Sequence, residues 1–230
     1  MALDKNSSGF TFGFAFVLVV VVGALLASVS MGLKDLQNKN KDDKKRMDIL
    51  GAFGVEATRD NAAELYTKHI KKALIVSGKD KTTGKEAFAV DIQKEFRNKN
   101  LEAANRNYPL YIGEKEGKTF YIIPMVGKGL WGPIWGYVAL GSDKQTIYGT
   151  KFDHKGETPG LGAEIKTEMF TAQFKGEKIN SKISVVKDGS GKGVNSKVDA
   201  ITGGTITSVG VEEMVDRTLK VYSNYFKTQN

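Results

Sequence analysis

The sequence predicts an α+β protein in which an apolar N-terminal helix precedes a domain with a mainly antiparallel sheet and flanking helices. Three observations lead to this prediction. Residues 9–33 form an uncharged, strongly apolar stretch. Segments rich in β-branched and aromatic residues cluster between residues 108 and 152, and helical periodicity dominates before and after them. Helices and strands that are segregated along the chain, and do not alternate, are typical of the α+β class.

The apolar stretch has the length and composition of a membrane-spanning helix. At a rise of about 1.5 Å per residue, such a helix crosses the ~30 Å hydrocarbon core of a bilayer. A cleaved signal peptide is the alternative, but its apolar region is shorter and follows a more basic segment than Lys5 provides. We therefore predict a short tail at residues 1–8 and a retained transmembrane helix at residues 9–33, in contact with membrane lipid.

The charge distribution limits the classes of function. The net charge is +8, and residues 34–46 contribute six lysines and arginines against three aspartates. Counted alone, this cluster places the following domain in the cytoplasm by the positive-inside rule. The other basic residues form no dense stripe with interleaved aromatics, so nucleic-acid binding is not expected. With no cysteine and only two histidines, the sequence predicts no disulfide, thiolate nucleophile or metal site.

Helical periodicity marks three segments between the apolar stretch and the predicted sheet. Residues 34–54 are predicted as a polar juxtamembrane stalk that presents Met47, Leu50 and Phe53 on one face. Segments 61–75 and 85–97 are predicted as amphipathic helices. The residues expected to face inward in these two helices are Leu65, Ile70, Leu74, Phe88, Ile92 and Phe96.

Beyond these helices the pattern changes to strands. The candidate strands are 108–113, 118–126, 134–141, 145–152 and 183–187. Segment 118–126 is almost continuously apolar, as in a central strand, although Pro124 favours an edge or a bulge. Gly141, Ser142 and Asp143 are predicted to form a hairpin turn.

A helix is predicted at residues 163–174, and a longer helix closes the chain. Thr207 and Ser208 are natural N-cap residues for the last helix. Residues 55–230 are thus expected to form one domain. The apolar face of the last helix consists of Val211, Met214, Val215, Leu219, Tyr222, Tyr225 and Phe226.

The segment from Asp199 to Ser208 immediately precedes that helix and has the features of an anion site. Gly203 and Gly204 let backbone amides approach an anion closely, and the helix N-terminus favours negative charge. The hydroxyls of Thr202, Thr205 and Thr207 can donate hydrogen bonds or be modified. On residue chemistry alone, a glycine turn followed by an ordinarily capped helix is the simpler interpretation.

The order Asp199, Thr202, Gly203, Gly204, Thr205 also resembles the flavinylation motif of FMN-binding domains. That family includes the C subunit of the sodium-translocating NADH:quinone oxidoreductase and the G subunit of the related Rnf complex. The more familiar form of the motif ends in Ser-Gly-Ala-Thr, whereas this chain has Thr202, Gly203, Gly204 and Thr205. The difference is mild, because the first hydroxyl, the first glycine and the acceptor threonine are kept. The resemblance implies that FMN is joined covalently, through its phosphate, to Thr205, with Asp199, Thr202, Gly203, Gly204 and Thr207 around it.

Two further segments strengthen the resemblance. The run from His154 to Gly162 resembles the family's Glu-Thr-Pro-Gly-Leu-Gly stretch, and residues 127–136 resemble its Gly-x-Gly-Leu-Trp segment. Plain core packing is an equally good interpretation of Trp131 and Trp135, and a turn or surface role is the simpler one for His154. Glu157 also suits a structural role as an acceptor of backbone N–H groups. The resemblance adds to the flavin site Gly129, Leu130, Trp131, Glu157, Thr158, Pro159, Gly160, Leu161 and Gly162.

The resemblance implies an electron-carrier subunit of a membrane complex that couples NADH oxidation and quinone reduction to sodium transport. No catalytic residue is predicted on this chain, because it lacks a dinucleotide fingerprint and residues 189–193 are a turn in place of a P-loop. Single electrons would pass between redox centres of partners, namely a second covalent-flavin subunit and membrane iron-centre subunits. A Mg-dependent flavin transferase would install the FMN.

In that family the soluble domain lies on the extracytoplasmic side of the inner membrane, against the local charge count given above. Two alternatives stay open at this point: the G subunit of the Rnf complex, and a flavin-free membrane-tethered binding or assembly module.

Overall fold

A computed structural model describes residues 7–77 and 87–229, and the chain divides into two compact units at Lys44/Lys45. The first unit contains helix α1, Ser8–Gly32, whose N-cap Ser7 accepts a hydrogen bond from the Phe10 amide at 3.2 Å. This helix has 25 residues and a mean hydropathy of 2.7, which makes it long and apolar enough to cross a membrane. The predicted N-terminal apolar helix is therefore present.

The second unit is built around a five-stranded antiparallel sheet in the order β1-β2-β3-β4-β5. Strands β6 and β7 form a separate parallel pair. The α+β prediction with a mainly antiparallel sheet is thus confirmed. The strands are β1 Ile70–Ser77, β2 Asn107–Lys115, β3 Lys118–Lys128, β4 Pro133–Leu140, β5 Ile147–His154, β6 Ser184–Val186 and β7 Lys197–Asp199. The remaining helices are α2 Lys34–Ala52, α3 Ala62–His69, α4 Ile92–Arg97, α5 Glu168–Thr171 and α6 Thr205–Thr228.

Both faces of the sheet are covered, and each face has its own apolar core. On one face, α6 packs against residues that include Ile123, Met125 and Ile134. On the other face, the end of α2 packs against residues that include Ile122 and Tyr137. Successive strand residues point to opposite faces, so a strand buried on both sides is apolar throughout. This explains the near-continuous apolar run of β3.

Segment 61–75 is not one helix, contrary to the prediction. Helix α3 ends at His69 and β1 begins at Ile70. Pairing with β2, such as Ala73 with Tyr111, supplies the backbone of this segment with sheet hydrogen bonds. Sheet pairing therefore overrides a sequence pattern that also fits a helix.

Two other predicted helices are shorter or broken. The part of segment 85–97 that is helical begins at Ile92, because Asp91 is its N-cap and accepts from the Gln93 and Lys94 amides at 3.1 Å. Residues 85–86 lie outside the described part of the chain. Segment 163–174 forms a 3₁₀ turn, the short helix α5 and another 3₁₀ turn, because Thr167 is extended at φ −77° and ψ 153°.

Residues 34–52 are helical, and of the three residues predicted to share one face, Leu50 and Phe53 are buried. The fully buried apolar residues at the end of α2 are Ile49, Leu50, Ala52 and Phe53, whereas Met47 is only half-buried. Pro124 lies in the central strand, opposite Tyr137 of β4, and so not at an edge. It is tolerated because the β2–β3 pairing ends at Tyr111 and Ile122, before Pro124 is reached.

Helix α6 carries the predicted apolar face, and it begins earlier than predicted. Val211, Met214, Val215, Leu219, Tyr222 and Phe226 are buried. Gly204 is the N-cap, not Thr207 or Ser208, and the first helical residue is Thr205. The hydroxyls of Thr207 and Ser208 are instead used inside the first turn, where they fix the candidate site.

Candidate functional site

The segment before α6 is a tight turn held by the hydroxyl of Ser208. Gly203 adopts φ +72°, a conformation that favours glycine. The Gly204 amide donates to the Ile201 carbonyl at 2.9 Å. The Ser208 hydroxyl accepts from the Ile201 amide at 3.1 Å and donates to the Gly204 carbonyl at 3.0 Å. The turn is therefore locked to the helix that follows it.

Thr205 is the first residue of α6 and is half-buried. The N-cap Gly204 offers no side chain, so the first amides of the helix have no side-chain cap. Uncapped amides and the positive end of the helix dipole favour an anion at this position. A phosphate bonded to the Thr205 hydroxyl fits this place in the fold.

Glu157 joins the three segments that the resemblance assigns to the flavin site. Its carboxylate is buried, with 4% of the residue exposed. Oε1 accepts from the Trp131 amide at 2.9 Å and from the Gly132 amide at 3.3 Å. Oε2 accepts from the Thr207 hydroxyl at 2.7 Å. One carboxylate thus ties the Gly-Leu-Trp loop and its own loop to the first turn of α6, which is the structural role expected for Glu157.

Glycines allow this close approach of the three segments. A Cβ atom at Gly129 would lie 2.6 Å from Glu157 Oε1. A Cβ at Gly162 would lie 2.5 Å from the Thr207 hydroxyl and 2.6 Å from Glu157 Oε2. No side chain is accommodated at such distances without movement of the carboxylate. These two glycines are therefore explained by packing around Glu157.

Leu161 places the Glu-Thr-Pro-Gly-Leu-Gly loop against the turn at residues 201–204. A Cβ at Gly203 would lie 2.5 Å from a methyl group of Leu161, and a Cβ at Gly204 would lie 3.0 Å from the Leu161 carbonyl. The loop is shaped by the Thr158 carbonyl, which accepts from the Leu161 and Ala163 amides at 3.1 Å. The exposed residues Thr158, Pro159 and Gly160 form its outer part.

Large apolar side chains on the three segments that Glu157 joins are exposed. Trp131 is 71% exposed and Ile206 is 61% exposed, and Leu130 and Leu161 are also exposed. The core-packing interpretation of Trp131 is therefore wrong. A flat aromatic ring system needs apolar area of this kind, with few polar groups to orient it. The residues present fit the ring as well as the phosphate of FMN.

Ile206 is missing from the site that the sequence predicts. It follows Thr205 directly and lies off the apolar face of α6 that packs on the sheet. An apolar residue off the core face, next to the candidate threonine, is the sequence signal that could have identified it.

In the described part of the chain, neither Asp199 nor Thr202 forms a hydrogen bond with Thr205. The Asp199 carboxylate accepts from the Gly191 amide at 2.7 Å, so it fixes the loop before β7. Thr202 is exposed in the turn, and its hydroxyl has no hydrogen bond within the described ranges 7–77 and 87–229. His154 Nδ1 accepts from the Glu157 amide at 3.0 Å, so His154 stabilises the loop that carries Glu157.

Potential metal ligands are scattered through the described part of the chain. Among those residues, no group of three or more His, Asp or Glu side chains is arranged to hold a metal ion. Residues 189–193 form a turn, with Gly189 and Gly193 at positive φ.

Comparisons with known proteins identify the family. Residues 129–220 match the model of the FMN-binding domain, a range that includes every residue assigned above to the flavin site. The chain is 30% identical to the C subunit of the Na(+)-translocating NADH-quinone reductase of Haemophilus ducreyi, over 91% of this chain and 88% of that protein. It is 29% identical to the C subunit of Vibrio parahaemolyticus, over 94% of this chain and 92% of that protein.

Solved structures agree with these matches. The crystal structure of the C subunit from Parabacteroides distasonis is 40% identical, covers 86% of this chain and 98% of its own, and superposes with a TM-score of 0.77. The structure of Shewanella oneidensis NqrC, at 23% identity and a TM-score of 0.71, supports the fold alone. The predicted resemblance is thereby confirmed, and the chain belongs to the NqrC family, the C subunits of the Na(+)-translocating NADH-quinone reductase, with an FMN-binding domain.

Proposed function

We propose that this protein holds FMN covalently on Thr205 and relays single electrons between redox centres of its partner subunits. The observation that supports the attachment most directly is the position of Thr205. Its hydroxyl belongs to the first residue of α6, at an N-terminus without a side-chain cap, beside exposed apolar side chains. Bound FMN supplies a redox group that accepts and passes on single electrons.

Each part of the site has a distinct task in this proposal. The α6 N-terminus stabilises the phosphate, because its free amides and dipole favour negative charge. Leu130, Trp131, Leu161 and Ile206 offer apolar area to the ring. Glu157 holds the loops that carry them in one arrangement. A covalent bond keeps the cofactor from diffusing away, as a fixed relay requires.

Attachment uses a hydroxyl and no other reactive group of this chain. The phosphoester bond forms between Thr205 Oγ1 and the FMN phosphorus of FAD. The pyrophosphate bond breaks, AMP leaves, and the hydroxyl proton passes to a base of the Mg-dependent flavin transferase or to solvent. The transferase is therefore a partner during maturation, and the chain itself needs no catalytic residue.

Membership in the NqrC family favours the sodium-translocating complex over the Rnf complex as the place of this relay. We place a second covalent-flavin subunit and membrane iron-centre subunits among the partners. NADH oxidation and quinone reduction belong to other subunits. The division of the chain in this proposal is a tail at 1–8, a lipid-contacting transmembrane helix at 9–33, a stalk at 34–54 and the FMN-binding domain at 55–230.

The flavin gives a direct test of the carrier function. The full chain, co-expressed with the transferase, should fluoresce under ultraviolet light after denaturing electrophoresis, because an ester survives conditions that release a noncovalent flavin. The matched control is the same chain expressed without the transferase, which should be dark. A dark band in both samples would favour a flavin-free binding module.

We further propose that the flavin domain lies on the extracytoplasmic side of the inner membrane, since a long domain is translocated largely regardless of local charge. The absence of native cysteine makes labelling unambiguous. A Ser190→Cys chain, modified at an exposed residue of the turn at 189–193, should react with a membrane-impermeant thiol reagent applied to intact cells or spheroplasts. An Asn6→Cys chain, modified before the apolar helix, should be protected. The reverse pattern would place the domain in the cytoplasm.

A further inference from the structure

A small cleft lies between α4, the β2–β3 pair and α6, remote from the flavin site. Arg217, on its α6 side, is twelve residues beyond Thr205, or about 18 Å along the helix axis. The cavity has a volume of about 30 Å³. Its polar lining residues are Glu95, Arg106, Asn107, Tyr108, Arg217 and Thr218.

Two arginines meet at the same aromatic ring in this cleft. The guanidinium carbon of Arg217 lies 4.3 Å from the centre of the Phe96 ring, and that of Arg106 lies 5.8 Å from it. Arg217 donates one hydrogen bond, from Nη2 to the Val126 carbonyl at 2.6 Å. The Nε–H groups of both arginines are buried and have no hydrogen-bond partner in the described part of the chain. Buried donors without an acceptor are uncommon and costly.

The nearby carboxylates do not satisfy these donors. Glu95 accepts from the Asn107 side chain at 2.8 Å and from the Asn107 amide at 3.3 Å. Within residues 7–77 and 87–229, neither Arg106 nor Arg217 forms an ion pair. Burial lowers the pKa of Arg217, and the charge of Glu213 offsets this only in part. Among the described residues, no carboxylate pairs with the two guanidinium groups that line the cleft.

We propose that this cleft binds the carboxylate of an aspartate or glutamate side chain presented by a partner subunit of the complex. The volume suits a carboxylate, because 30 Å³ holds about two water-sized atoms and excludes a nucleotide or a second flavin. A carboxylate offers two acceptor oxygens, and guanidinium groups form charge-assisted hydrogen bonds with carboxylates. Asn107 at the rim is exposed, so a partner's side chain reaches the cleft from the surface. Charge complementarity thus selects an acidic residue of a neighbouring subunit.

The assembled complex provides the first test. Arg106→Met removes the charge and the donor while keeping a long apolar stem over Phe96, and the side chain of Arg106 makes no hydrogen bond that the fold needs. This variant should be lost from the purified complex on the order of tenfold faster than the wild-type subunit, because breaking one side of a buried charge pair raises the dissociation rate. Arg97→Met, which removes an exposed arginine of α4, is the matched control and should behave as wild type. Covalent flavin fluorescence should be unchanged in both variants, so the result does not depend on the proposed flavin site.

The isolated full chain in detergent provides the second test and needs no variant. In ¹H–¹⁵N spectra of the arginine Nε–H groups, acetate should shift two signals saturably, and chloride at the same ionic strength should not. The two signals are assigned by Arg106→Lys and Arg217→Lys. Equal shifts with both salts would indicate a nonspecific ionic effect, and no shift would indicate that the cleft binds no carboxylate. Either result would overturn the proposal. If acetate binds saturably but the complex that contains Arg106→Met stays intact, the carboxylate does not come from a partner subunit. That result would overturn the proposal.

Discussion

Replacing Thr205 with valine is expected to abolish covalent flavin on this protein and, with it, NADH-to-quinone electron transfer by the complex. Valine has nearly the shape of threonine and lacks the oxygen that would bond to phosphorus, so the turn and the first residue of α6 are retained. The measurement combines denaturing-gel fluorescence with quinone reduction by membranes that contain the assembled complex. Both signals should fall to the level of a strain that lacks the protein.

Two variants control for the position and chemistry of the hydroxyl. Thr205→Ser keeps an oxygen at the same place and should retain fluorescence and turnover. Thr202→Val removes the exposed hydroxyl of the same turn and should also retain fluorescence. A fluorescent Thr205→Val chain together with a dark Thr202→Val chain would move the attachment to Thr202. Loss of fluorescence in Thr205→Ser would indicate that the transferase requires the threonine methyl group.

Replacing Glu157 with leucine is expected to destabilise the domain and to slow flavin attachment. Leucine cannot accept a hydrogen bond. The Trp131 and Gly132 amides and the Thr207 hydroxyl, which donate to Glu157 in this structure, therefore lose their acceptor. A donor left without a partner costs about 1–3 kcal/mol, so the free energy of unfolding should fall by a few kcal/mol. Flavin attachment should slow because the Gly-Leu-Trp loop is no longer held to the first turn of α6.

Glu157→Gln separates the charge of this residue from its shape. One amide oxygen still accepts from the loop amides, and the NH₂ group can donate to the Thr207 hydroxyl, so the loss should be nearer to about 1 kcal/mol. Chemical unfolding of the full chain in detergent measures both variants, because the two tryptophans, Trp131 and Trp135, lie in the domain. Glu102→Gln, at an exposed position, should change stability by less than about 0.5 kcal/mol. Equal stability of Glu157→Leu and wild type would show that this carboxylate does not hold the three segments together.

The sheet and the last helix are predictable because their signals are local. The strands from β2 to β5 have β-branched and aromatic composition, and α6 has a regular apolar stripe. Segment 61–75 is mispredicted because its second half fits a helix and a strand equally well in isolation. Only the pairing of β1 with β2, a contact with a distant part of the chain, decides between them.

The turn before α6 is predictable in outline, and its internal geometry is not. The glycines, the hydroxyls and the following helix all stand in one short stretch of sequence. The hydrogen bond between Glu157 and Thr207 joins residues fifty positions apart, so no local pattern predicts it. The N-cap is misassigned for a related reason. Thr207 and Ser208 are good capping residues by type, but Glu157 and the Ile201–Gly204 turn use their hydroxyls elsewhere.

The most direct test of the central claim is the mass of the full chain after maturation with the flavin transferase. The account predicts an increase equal to FMN less one water, carried entirely by the tryptic peptide at residues 198–217 and assigned to Thr205 by fragmentation. Fragmentation is needed because Thr202, Thr207 and Ser208 lie in the same peptide. An unmodified mass, or the same increase on any other residue, would contradict the account.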